Sequence, residues 1–243
     1  MAGYERFGLI IDPDPSALGG VAVRLLELGI DVLYAADMDE AALLAGQEAE
    51  RLGAVLIPSS FDTRGVEDLI ARVCSKLVAG PRALIVAGVE RESGLVEQLK
   101  ARGVEWALCE PYDERELRFV MTAAMATAHG GERRKGVRIP TCIETSVFMG
   151  RHRKDVTVHD LSVSGAYFAT PHPFFEDSRI SFEIPLPQGP VMGSATVVNS
   201  KSAEKPGRPD VPEGMGVVFN NLSQAATQRL NAFIEAWIER FRL

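Results

Sequence analysis

At 243 residues, 46% of them hydrophobic and 24% charged, the chain holds enough apolar material for two ordinary domains with their own cores. It contains no run of about 18 apolar residues, so no transmembrane helix is expected. The net charge of −7 is unevenly spread: residues 1–130 carry 12 Lys+Arg against 21 Asp+Glu, and residues 131–243 carry 14 against 12. An acidic first half and a nearly neutral second half argue against general binding of nucleic acid or anionic lipid.

The opening MAGYERFGLIIDPDP has acids on both sides of a short apolar run, which is not the pattern of an export signal. The three cysteines, Cys74, Cys109 and Cys142, are far apart, with neither metal-ligand spacing nor a disulfide framework. They are expected to be small buried hydrophobes in a reduced, cytoplasmic protein.

In chain order, strand and helix alternate. FGLIID is a short apolar strand, and SALGGVAVRLLELG follows with Val21, Leu25 and Leu28 on one helical face. IDVLYAA is a second strand, and DEAALLAGQEAERLG a helix with acids at its start and Gly53 at its end. AVLIPS, RALIVAG and VEWALCEP are the next strands. VEDLIARVCSKLVAG, SGLVEQLKARG and DERELRFVMTAAMATAHG are the helices between and after them. Five apolar strands in alternation with five helices predict a doubly wound parallel sheet of the flavodoxin-like class over residues 1–127.

HGGERRKG breaks the pattern and places a boundary near residue 128. From 128 to 243 the chain reads as all-β. IPTCIETSVF, DVTVHDLS, GAYFATP, RISFEIPL, PVMGSATVVNS and GMGVVFNNL are six strands of an antiparallel barrel. In the second of these, Thr157, His159 and Leu161 are expected on one face and Val156 and Val158 on the other. SQAATQRLNAFIEAWIERFRL closes the chain as a helix with Ser223 as N-cap. Its stripe of Leu230, Phe233, Ile234, Trp237, Ile238 and Phe241 either packs on the barrel or forms a dimer or partner surface.

The alternation, together with the closing CEPYDERELRFVM, resembles the receiver domains of two-component signalling. That family ends its third strand on a phosphoacceptor aspartate, its fourth on a hydroxyl residue and its fifth on Lys-Pro. Here those places hold Pro58-Ser59-Ser60, Ala87-Gly88 and Glu110-Pro111. Glu110 reverses the charge where phosphoryl oxygens need a cation. The resemblance therefore implies a receiver-like fold that does not run the phosphorelay. Asp12 and Asp14 match the family's acidic pair in kind. They either hold a metal or cap the next helix.

The second half carries two motifs. Arg134 to Arg138 is an RxxxR, and Asp160 to Gly165 is a DxSxxG, with Asp160 22 positions after Arg138. That interval fits one strand, a turn and a second strand. Together with the closing strand and helix, these motifs resemble the PilZ domain, the bacterial receptor for cyclic di-GMP. The resemblance implies a ligand site made of Arg133, Arg134, Arg138, Asp160, Ser162 and Gly165. Guanidinium forks suit phosphate, guanine O6 and N7, or a base face. The Asp160 carboxylate suits the N–H edge of guanine, Ser162 completes that pairing, and Gly165 allows close backbone approach. An arginine at 133 is associated in this family with a stacked ligand pair, or it is one more solvated charge. As a bare turn signal, the same hexapeptide would place Gly165 at positive φ. His159 and Ser164 read as structural.

No hydrolytic triad, phosphate-binding loop or metal-ligand spacing appears, so no enzyme and no metal are expected. The reading is a cyclic di-GMP receptor in which ligand capture by segment 129–138 resets the orientation of the domains. It would regulate a motility, pilus, polysaccharide or development partner, docked in one version through the receiver-like domain. A homodimer stays open. The alternatives are a nucleotide-independent scaffold of the motility or pilus machinery and a phosphorylated response regulator.

Overall fold

A computed structural model describes residues 6–90, 94–127, 137–202 and 211–243. The chain divides into two compact units, Met1–Glu132 with Phe241–Leu243, and Arg133–Arg240. Among the described residues no helix is long and apolar enough to cross a membrane.

The first unit is an α/β sandwich. Its strands are β1 (Phe7–Ile11), β2 (Val32–Ala35), β3 (Leu52–Pro58), β4 (Leu84–Ala87) and β5 (Trp106–Leu108). They lie in the order β2-β1-β3-β4-β5, all parallel, which is the flavodoxin-like winding that receiver domains share. Every residue of β1, β3, β4 and β5 is buried, as a sheet covered on both faces requires. The helices are α1 (Pro15–Glu27), α2 (Met38–Gln47), α3 (Thr63–Arg72), α4 (Gly94–Ala101) and α5 (Glu114–Thr127). Asp37 and Asp62 cap α2 and α3 by accepting from the N–H groups of Glu40 and Gly65.

The third helix is shorter than its apolar pattern suggests. α3 stops at Arg72, and two single turns of 3₁₀ helix, Cys74–Lys76 and Gly80–Ala83, follow. Val73, Cys74, Leu77 and Ala83 are buried there. Leu77 adopts extended backbone, so the chain bends to keep these side chains on the core. The cysteines are also not uniform: Cys74 is buried, Cys109 half-buried and Cys142 exposed. Burial pushes the Cys74 thiol up to about 12, so it packs as an inert apolar side chain.

The second unit is a closed antiparallel barrel of β6 (Ile139–Met149), β7 (His152–Ser162), β8 (Gly165–Ala169), β9 (Arg179–Ile184), β10 (Val191–Lys201) and β11 (Gly214–Phe219). Around the barrel the order is β10-β11-β8-β7-β6-β9. Its interior holds Val147, Val158, Leu161, Phe168, Phe182, Val197, Val217 and Phe219. The Phe182 and Phe219 rings stack with centroids 4.8 Å apart. Helix α6 (Gln224–Ile238) is capped by the Ser223 hydroxyl, which accepts from Ala226 N–H. It turns Ala226, Leu230, Ile234 and Ile238 onto β6, β7 and β10, so packing on the barrel accounts for this part of its stripe.

Phe241 leaves that stripe. Beyond the helix it belongs to the first unit, with its ring 5.6 Å from that of Phe119. The Ala107 N–H donates to the Phe241 carbonyl at 2.9 Å and the Leu243 N–H to the Glu105 carbonyl at 3.1 Å. Arg242 forms an antiparallel bridge with Trp106, so the last residues extend the sheet past β5.

Candidate functional site

The hairpin joining β7 to β8 organises the candidate site. Ser162 pairs with Gly165, and Val163 and Ser164 form the two-residue turn between them. The Ser162 side chain is buried and its hydroxyl donates to the Gly165 carbonyl at 3.0 Å, locking the corner from inside. Gly165 does not take a positive φ, contrary to the simple turn reading. A Cβ at this position would lie 2.1 Å from the Val217 carbonyl oxygen, so a glycine is what allows β8 to pair closely with β11. In this structure the close approach is between two strands of the barrel.

Asp160 lies two residues before this corner. Strand β7 carries a bulge between Val158 and Asp160 relative to β8. In an unbroken strand, neighbouring side chains point to opposite faces. The extra residue changes the phase. Val156 and Val158 are buried inside, Leu161 is buried inside as well, and His159 and Asp160 lie side by side on the outer face. The expected grouping of Leu161 with Thr157 therefore fails, because the bulge intervenes.

His159 Nδ1 is 2.9 Å from Asp160 Oδ2, and the two side chains are 25% and 16% exposed. The register puts Tyr167 of β8 directly opposite Asp160. The Tyr167 ring meets the His159 imidazole edge-on with centroids 6.0 Å apart, and its hydroxyl donates to the Pro212 carbonyl at 2.7 Å. Burial pushes the Tyr167 phenol up to about 12, and the nearby Asp160 and Glu213 carboxylates add in the same direction. Sequence reading passed over Tyr167. Counting back from the two-residue turn, Ser162 to Gly165, Leu161 to Ala166 and Asp160 to Tyr167, finds it without a structure.

Arg138 reaches this corner through β6. Ile139 pairs with Leu161 and Pro140 with Asp160. Arg138 directly precedes Ile139 and is exposed, with the outward parity of Pro140. The register thus brings the second arginine of RxxxR and the acid of DxSxxG to the same end of the β6–β7 pair. Arg133 and Arg134 lie outside the described residues.

In the first unit, the end of the parallel sheet carries different chemistry. The fully buried Asp12 accepts from Leu18 N–H at 2.7 Å and from Asp14 N–H at 3.2 Å, so both of its oxygens serve the start of α1. Of the two roles open to Asp12, the structure displays the cap. Gly88 lies between Ser59 and Glu110: a Cβ there would be 3.1 Å from Ser59 Oγ and 3.6 Å from Glu110 Oε1. Among the described residues, no group of three His, Cys, Asp or Glu side chains is placed to hold a metal ion.

Residues 132–236 match the family model of the PilZ domain. This part of the chain is a PilZ domain. The PilZ barrel and the flavodoxin-like unit each have similar solved structures. The chain is 15% identical to the Bacillus subtilis inhibitor of motility MotI/DgrA, with a TM-score of 0.37 over 45% of this chain and 54% of that one. It is 17% identical to Escherichia coli YcgR in complex with c-di-GMP, with a TM-score of 0.36 over 44% of this chain and 47% of that one. It is 24% identical to the Vibrio cholerae chemotaxis protein CheY4, with a TM-score of 0.41 over 49% of this chain and 98% of that one. The chain spans about half the length of the first two. Comparison with curated proteins gives no match.

Proposed function

We propose that the chain is a receptor for cyclic di-GMP, which its PilZ domain binds at the β6–β7 corner without altering it. The observation that supports this reading is the strand register, which pairs Pro140 with Asp160 and Ile139 with Leu161, directly after Arg138 in the chain. A guanidinium fork and a carboxylate on one side of a small barrel match the phosphate and the guanine edge of one ligand. Arg138, with Arg134 and Arg133 upstream, supplies the cationic contacts, and an arginine at 133 suits a second, stacked ligand. Asp160 takes the guanine N–H edge. Ser162 and Gly165 contribute by holding the corner that aims Asp160. The match of residues 132–236 to the PilZ family supports the same ligand class.

Arg133 and Arg134 precede the barrel, and the receiver-like unit precedes them in the chain. Ligand capture by these arginines is the step that couples the two units and alters a protein partner of a motility, pilus, polysaccharide or development system. In the first unit, Glu110-Pro111 and Pro58-Ser59-Ser60 fall where the receiver resemblance expects Lys-Pro and an aspartate, which supports the nucleotide as the input to this protein.

Titration calorimetry with cyclic di-GMP tests the proposal. Wild type is expected to bind at micromolar ligand or below, and the Arg134→Ala/Arg138→Ala variant to lose at least about 100-fold in affinity, the scale of two lost charge-assisted contacts. Equal heats from the two proteins would remove the assigned site. Absence of heat from wild type would leave the nucleotide-independent scaffold as the better reading.

A further inference from the structure

The pairing of His159 with Asp160 uses an unusual local geometry. Two consecutive residues of a strand contact each other through their side chains only where the pleat is interrupted. The interruption here is the β7 bulge between Val158 and Asp160. It costs the strand a regular pairing position and in return sets an imidazole against a carboxylate at 2.9 Å. The imidazole is held from a second side by the edge-on ring of Tyr167, which is itself tied down through its hydroxyl to the Pro212 carbonyl. The chain of contacts runs from backbone to phenol to imidazole to carboxylate.

We propose that His159 is a positioning residue: its Nδ1–H donates to Asp160 Oδ2 and fixes the direction in which Asp160 presents its carboxylate to a guanine edge. This rests on the reading of Asp160 as a ligand contact. The physical reason is preorganisation. A carboxylate on a single-bonded stem rotates among rotamers, and a ligand that must first select one binds more weakly by that fraction. A donor fixed 2.9 Å away removes the search before the ligand arrives. An imidazole also has two tautomers, and the one present is set by what its nitrogens touch. The geometry assigns the proton to Nδ1 in the free protein, because that is the nitrogen facing a carboxylate oxygen.

Two measurements test this. The first needs no ligand: long-range nitrogen–proton NMR of the neutral imidazole. Wild type is expected to show the Nδ1–H tautomer at His159 and Asp160→Ala to shift towards Nε2–H. An Nε2–H tautomer in wild type overturns the proposal outright. The second is cyclic di-GMP affinity across His159→Phe, which keeps a ring without a donor, and His159→Asn, which keeps a donor near the Nδ1 position. His159→Phe is expected to weaken binding about tenfold while its melting temperature stays near that of wild type, and His159→Asn to stay within about threefold. On an Asp160→Ala background, His159→Phe should cost nothing more, as expected when one residue acts through the other. If Asp160→Ala lowers affinity but His159→Phe does not, the positioning role is wrong and the site survives. If Asp160→Ala itself leaves affinity unchanged, the site assignment is wrong, and the tautomer result still decides whether the pair exists.

Discussion

An alanine at position 165 would set its Cβ 2.1 Å from the Val217 carbonyl oxygen, well inside any real contact distance. Strand β8 would have to move off β11 or the barrel would have to flex. Gly165→Ala is therefore expected to destabilise the PilZ unit by about 3 kcal/mol, the upper range for overpacking, in urea unfolding followed by circular dichroism. A change under half of that would show that the strand pairing is looser than described. The three named residues of DxSxxG thus divide their work. Ser162 and Gly165 build the corner, and Asp160 is what the corner displays. The motif was legible in the sequence as a whole, but not this division. A glycine needed because two strands approach closely looks the same in one dimension as a glycine needed for positive φ. The phase of β7 was illegible for a related reason. A bulge between Val158 and Asp160 depends on the register with β8, and no pattern of single residues in HDLS announces it.

The elements themselves were easier to read. Five apolar strands alternating with helices leave little choice besides a doubly wound sheet, and six short strands with turn residues between them little besides a closed barrel. The exceptions are at element ends, where tertiary packing decides. Helix α3 ends early because Val73, Cys74 and Leu77 find the core by bending away from the helical path. The last residues looked like the continuation of α6, yet they form an extra edge segment on β5, where Phe241 is only 4% exposed. Helical spacing alone does not show a stripe that stops at Ile238, three positions before Phe241. Removing residues 241–243 strips Phe241 from the Phe119 ring and leaves the edge of β5 unpaired. The expected cost to the first unit is about 3 kcal/mol, the usual scale for losing a buried phenylalanine. Urea unfolding followed through Trp106, which that tail covers, checks it. An unchanged midpoint would show that the tail adds nothing to the sheet.

At the scale of the whole molecule, the chain joins a flavodoxin-like α/β unit to a PilZ barrel that carries the RxxxR and DxSxxG motifs. In the first unit the buried Asp12 accepts from N–H groups at the start of α1, and Glu110 follows β5 at the end of the sheet. In the second, His159 Nδ1 lies 2.9 Å from Asp160 Oδ2 on β7, and Pro140 of β6, two residues after the exposed Arg138, pairs with Asp160. The most direct test of this account is the preference for guanine, because Asp160 is assigned to an edge that adenine lacks. Affinities for cyclic di-GMP and cyclic di-AMP would be measured on wild type and Asp160→Ala. The account predicts that wild type prefers the guanine ligand by about 100-fold or more, the scale set by leaving a buried polar group unpaired, and that Asp160→Ala loses most of that preference. Equal affinity of wild type for the two dinucleotides, or an undiminished preference in Asp160→Ala, would contradict it.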